Sequence, residues 1–194
     1  MSSAKDSFSP EMIKIFKIFG LGSLLFVLLL SFFNERRANN SGEEKPRMRI
    51  TDADRLFFKN LRALHYDLEG RDDAKINIYR HGKRTKDESI PHLNLSILIN
   101  RVKDEAYIFV EAQPDELPLQ LQWKNQLSGE EGELSFYGGD TFAHFEFVSK
   151  LSSLLDENIQ FKMAVGDSWE PVLTEMEVIK TTIKDYYRLT NNPN

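Results

Sequence analysis

Residues 18–33, IFGLGSLLFVLLLSFF, form an apolar run of 16 residues without a charge. Counted back to Ile13 the run reaches 21 residues, with Lys14 and Lys17 near one end and Glu35, Arg36 and Arg37 closing the other. A helix that crosses a bilayer needs about 20 such residues, and lysines at its ends can lift their ammonium groups to the headgroups. A cleaved signal peptide needs small residues just after its apolar core. Here the core ends Ser31-Phe32-Phe33-Asn34-Glu35-Arg36, a poor site for cleavage. The pattern therefore predicts a short tail over 1–12 and an uncleaved, single-pass transmembrane signal-anchor over 13–33. A polar tether, NERRANNSGEEKP, follows over 34–46, then a globular domain over 47–189 and a polar tail over 190–194.

Within the domain the pattern alternates between the helical period of 3.6 and the strand period of two. Thr51 with Asp54 makes a capping-box-like helix start, and Phe57, Leu61, Leu64 and Leu68 then fall on one predicted core face. Gly70 reads as the stop of that helix. Strand alternation follows at Ile76 and Ile78, then at Leu93, Leu95, Ile97 and Ile99. Further strands are predicted over 107–112, at Leu119, Leu121 and Trp123, and at Leu134 and Phe136. The loop 80–89 and the turn at Asp104-Glu105 separate the first three. A second helix, capped by Asp140 or Thr141, presents Phe147, Leu151 and Leu154 and ends near Asn158. Phe161, Met163 and Val165 form the last predicted strand. The final helix carries a Thr174/Glu177 capping box, a Leu173/Val178 staple and a face of Met176, Ile179, Ile183 and Tyr186. Short turns between consecutive strands imply antiparallel pairing. The expected fold is α+β: after the transmembrane helix, a mostly antiparallel sheet of about six strands packed with about three helices.

Composition narrows the function classes. The chain has 194 residues and a net charge of −5, from 25 basic and 30 acidic residues. From Arg47 onward 19 basic and 25 acidic residues leave −6. Such an acidic body disfavours nucleic-acid binding. The absence of cysteine excludes disulfides, thiolate catalysis and cysteine-held zinc or iron–sulfur clusters. Richness in Lys, Asn, Glu, Ile and Phe has a bacterial flavour. The strict positive-inside count opposes export because Arg36 and Arg37 follow the span. Lys14 and Lys17 beside the apolar core fit the common arrangement of a short basic tail inside and an exported domain. The reading adopted here places the domain on the periplasmic side.

Candidate chemistry is sparse. His65, His81, His92 and His144 show no i, i+3 or i, i+4 pair, so no metal is expected. No nucleophile motif and no complete phosphate-loop motif occurs, and Gly138-Gly139 reads as a strand-to-helix turn. No catalytic residue and no cofactor are therefore assigned. One conceivable hydrolytic set joins Ser168, His144 and Asp167. Two contact surfaces stand out. Gly20, Gly22 and Ser23 would let a partner transmembrane helix approach closely. Arg80, Lys83, Arg84 and Lys86 form a local basic spot for anionic headgroups or an acidic partner. Trp123, Trp169, Tyr186 and Tyr187 are of the residue types that anchor interfaces. The favoured reading is a membrane-anchored accessory or scaffold subunit that binds an integral membrane protein. The alternative is a membrane-anchored, hydrolase-like enzyme with a site assembled from scattered residues.

Overall fold

The computed structural model describes residues 9–32, 48–155, 158–172 and 176–192. The chain divides into two compact units, Met1–Glu44 and Lys45–Asn194. In the first, helix α1 runs from Pro10 to Phe32. It starts ahead of the predicted Ile13 because Ser9 and Pro10 favour initiation. The Ser9 hydroxyl accepts the Met12 N–H at 3.3 Å, and proline at the first helical position has no N–H to leave unpaired. From Pro10 to Leu29 the helix is long and apolar enough to cross a membrane, and none of that stretch is buried. Its 20 residues rise about 30 Å, the thickness of a bilayer's hydrocarbon core. The predicted tether lies outside the described residues.

The second unit is α+β. Among its described residues are eight strands in two antiparallel sheets rather than the single sheet of about six that the pattern predicts. The first sheet has the order β1 (Tyr66–Arg71), β2 (Ile76–His81), β3 (His92–Asn100) and β4 (Ala106–Gln113). The second comprises β5 (Leu119–Asn125), β6 (Glu131–Phe136), β7 (Ile159–Val165) and β8 (Ser168–Pro171) in the order β6-β5-β7-β8. Pro114 and Pro118, which lack the ladder N–H, lie between β4 and β5, where the chain leaves one sheet for the other. The unpredicted β8 forms because Gly166 adopts φ +58 in the two-residue turn that folds it back on β7.

Register places Tyr79, Ile97 and Ile108 in one row of the first sheet, with Leu95 and Ile99 on the same face of β3. These residues meet helix α4 (Met176–Thr190), which packs on β3 and β4. Ile179, Ile183 and Tyr186 are buried, as the 3.6 period requires. Leu173 and Thr174, the predicted staple and cap positions, lie outside the described residues. Helix α3 (Thr141–Ser152) packs against β4 of one sheet and β6 of the other. Asp140 caps it, accepting the N–H groups of Phe142 and Ala143 at 3.0 Å. It stops short of Asn158; Leu154 and Leu155 pack on the core beyond its end.

The first domain helix departs most from its predicted form. The Thr51 cap holds, with Asp54 N–H donating to its hydroxyl at 3.1 Å. However, α2 covers only Asp52–Phe57. A π turn follows over Phe58–Arg62, closed by the Ala63 N–H on the Phe58 carbonyl, and then a 3-10 turn over Ala63–His65. Wider and tighter turns in succession break a constant 3.6 period. Phe58, 1% exposed, enters the core in place of Phe57. Leu61 and Leu64 face outward instead, and Leu68 and Gly70 belong to strand β1. Arg55 ties α2 to the β3–β4 turn through the Asn100 and Lys103 carbonyls and the Asp104 carboxylate, at 3.2, 3.1 and 3.0 Å.

Ile183→Ala should cost about 2–5 kcal/mol of domain stability, because a buried side chain leaves a cavity. Leu64→Ala should stay within about 0.5 kcal/mol, as an outward side chain does. Urea unfolding of residues 45–194 measures both, and equal losses would return Leu64 to the core face.

Candidate functional site

The candidate surfaces differ sharply in what surrounds them. On α1, a Cβ added at Gly20 or Gly22 would meet nothing within 4 Å. The Ser23 hydroxyl donates to the Phe19 carbonyl at 2.7 Å, so its polarity is satisfied inside the helix. A helix turns about 100° per residue, which sets Gly20 and Ser23 about 60° apart and Gly22 about 160° from Gly20. The three therefore offer two sides for close approach rather than one notch.

The basic group, Arg80 within β2 and Lys83, Arg84 and Lys86 in the loop after it, faces carboxylates. Arg80 bonds Glu69 at 2.5 Å and Glu111 at 2.9 Å. Arg84 and Lys86 share Asp67 at 2.6 and 3.0 Å. Arg84, and then Lys86, hold the Asp67 carboxyl below the usual aspartate range. Asp67 and Glu69 belong to β1, which the helical reading of this segment conceals. Three of the four basic residues thus pair with carboxylates, Arg80 across the sheet and Arg84 and Lys86 from the loop to β1. Lys83 is exposed, and its N–H bonds His81 Nδ1 at 3.2 Å. Asn94 and His92 fasten the same loop to β3, through the Thr85 carbonyl at 2.8 Å and the Ile90 carbonyl at 3.0 Å.

Ser168, His144 and Asp167 do not form a bonded set. Ser168 Oγ donates to the Val165 carbonyl and to Glu170, each at 3.1 Å. His144 is buried between the sheets. Its ring stacks on Phe109 of β4 with centroids 3.9 Å apart, and Phe136 of β6 lies 4.7 Å away. Its Nδ1 accepts the Val110 N–H at 3.1 Å, pairing a donor on the edge strand. Burial lowers the His144 pKa, as it does for His81. Gly138 and Gly139 have φ +76 and +130, and a Cβ at Gly138 would sit 2.7 Å from Leu117. They make the tight turn into α3 that their spacing predicts. Tyr186 and Tyr187 are buried in the core, so neither is free to anchor an interface.

Sequence reading missed the strongest polar cluster. Asp185 sits on α4, only 6% exposed, among the residues of its core-facing side. Arg62 Nε donates to one carboxylate oxygen at 2.7 Å and the Tyr66 hydroxyl donates to the other at 2.8 Å. Burial, and then the Asp185 charge, push the Tyr66 phenol far above its usual range, so it remains a donor. The hydrogen bond to Asp185 raises the Arg62 pKa. Phe57, Phe58, Arg188, Leu189 and Asp54 line a small cleft beside this cluster, with a cavity volume of about 10 Å³, room for little more than a water. Small-molecule sites commonly enclose about 300–1,000 Å³. Both carboxylate oxygens are engaged, and the geometry is that of a structural ion pair joining the π turn to α4. Its signal in the sequence was an Asp on the apolar side of a helix, which requires a buried partner. Among the described residues, no three His, Asp or Glu side chains converge closely enough to hold a metal ion.

Asp185→Ala should destabilise the domain by about 3 kcal/mol, since it strands the Arg62 charge and the Tyr66 hydroxyl. Tyr66→Phe should cost about 1 kcal/mol. Denaturant midpoints test both. Stability should also fall under mild acid. His81 and His144 bind protons less readily folded than unfolded, so below the ordinary histidine value of about 6.5 the unfolded chain takes up more. Their contribution is therefore complete above that value and lost as pH falls towards their depressed folded values. Thermal midpoints between about pH 7.5 and 5 would show the slope. Asn at both positions should flatten it. No family model, curated protein or solved structure matches this chain, and its functional reading rests on its own residues.

Proposed function

We propose that this chain is a single-pass membrane-anchored accessory or scaffold subunit. Its α+β domain would be held on the exported, periplasmic side to bind a partner in a larger membrane protein assembly. The observation that carries the reading is α1, whose apolar side chains from Pro10 to Leu29 have no burial of their own and call for lipid or another helix. One span without an intramembrane charge over 18–33 makes neither a channel nor a carrier by itself. Small residues at Gly20, Gly22 and Ser23 support close packing against a partner helix. The enzyme reading gains no support from the bonds of Ser168 and His144, which are directed to other groups.

The partner should co-purify with the full-length chain after mild detergent extraction. Leucine at Gly20 or at Gly22 should reduce its recovery while membrane insertion persists, and the more sensitive position marks the side of α1 that packs. Unchanged recovery with both variants would remove α1 from the interface. A histidine variant that folds and assembles normally but abolishes activity would favour the enzyme.

A further inference from the structure

We infer that the outward side of segment 55–66 lies in the bilayer interface, as a second, reversible membrane contact beyond α1. The inference rests on the anchored reading above. Leu56, Leu61 and Leu64 are 59, 54 and 80% exposed, although all three belong to the helical segment that opens the domain. Their spacing follows the local turns. Five residues separate Leu56 from Leu61 across the π region, whose hydrogen bonds run i→i+5, and three separate Leu61 from Leu64 into the 3-10 turn. Each step is close to one turn, so the three leucines share one outward stripe. Lys59 is exposed three residues after Leu56, on the flank of the stripe rather than in line with Leu61.

Charge points to the same occupant. The domain from Arg47 carries −6, yet residues 55–66, RLFFKNLRALHY, include Arg55, Lys59 and Arg62 and no acidic residue. Arg55 and Arg62 are committed to Asp104 and Asp185, which leaves Lys59, on the flank of the stripe near Leu56, as the segment's exposed cation. Leucines with a lysine at their flank suit the boundary between acyl chains and headgroup phosphates, where the methyl groups enter and the ammonium stays in the polar layer. Chain length favours the bilayer over a distant surface. From Phe32 to Met48 the backbone reaches at most about 58 Å, which keeps the bilayer within reach of the stripe in an anchored chain. The partner is therefore the lipid interface, with dispersion and apolar burial supplying the attraction and net charge opposing it on anionic membranes.

The chain contains no cysteine, so a single introduced thiol labels one position. Full-length Leu64→Cys carrying a polarity-sensitive fluorophore would be placed in phosphatidylcholine nanodiscs, with and without lipid-borne nitroxides. Glu133→Cys, on the polar face of the second sheet, and Leu25→Cys, within α1, serve as references. The expected result at position 64 is a blue shift and a loss of intensity to shallow nitroxides, neither of which occurs at position 133. Adding Leu56→Asp and Leu61→Asp should reverse both changes at 64 and leave the quenching at 25 intact. Emission at 64 like that at 133, with position 25 quenched, overturns the interfacial contact and leaves the anchor standing. A blue shift without nitroxide quenching assigns the stripe to protein and also overturns the inference. If position 25 is unquenched as well, the anchored reading fails together with it.

Discussion

A carboxylate in an apolar seam imposes the strictest condition on this domain. Asp185 lies on the buried side of α4, where an unpaired charge would cost far more than any one packing contact contributes. Arg62 and Tyr66 meet that condition from two different elements, the π turn and the first strand. The π geometry brings Phe58 into the core and Arg62 to the carboxylate, while Leu61 and Leu64 turn outward. One buried charge thus connects α4, the irregular helical segment and the outer edge of the first sheet. The exposed leucines are a consequence of that arrangement.

Charge also organises the opposite face of the same sheet. Asp67 and Glu69 project from β1 towards Arg80, Arg84 and Lys86, and Glu111 joins Arg80 from β4. Such pairs at a partly wet surface contribute little singly, but together they hold the loop after β2 against an edge strand. A sheet edge protected by charged side chains is poorly suited to pairing with another chain. The basic spot therefore serves first within the fold.

Histidine 144 links the two sheets. It accepts a backbone donor of β4 and lies between Phe109 of one sheet and Phe136 of the other. The neutral ring fits all three roles, whereas a protonated ring would lose the Val110 hydrogen bond and place a charge between aromatic faces. A residue type often associated with catalysis is here a packing and bonding piece.

Strong local patterns proved readable along the chain. The apolar run of α1, the alternation in β3 and β5, the Thr51 and Asp140 caps and the core face of α4 all depend on neighbours within a turn or a strand, and local side-chain pattern reports them. Where a segment's partners are distant, the same pattern misled. The period of Phe57, Leu61, Leu64 and Leu68 is that of a regular helix, but Asp185, more than a hundred residues away, is met only when the chain widens into a π turn and then extends into β1. The split into two sheets and the pairing of Arg80, Arg84 and Lys86 likewise follow from which strands meet. Hydrophobic period records which side of an element avoids water. It carries no information on which distant charge must be neutralised, and here the segment that meets that charge is the one with irregular turns and three leucines facing out.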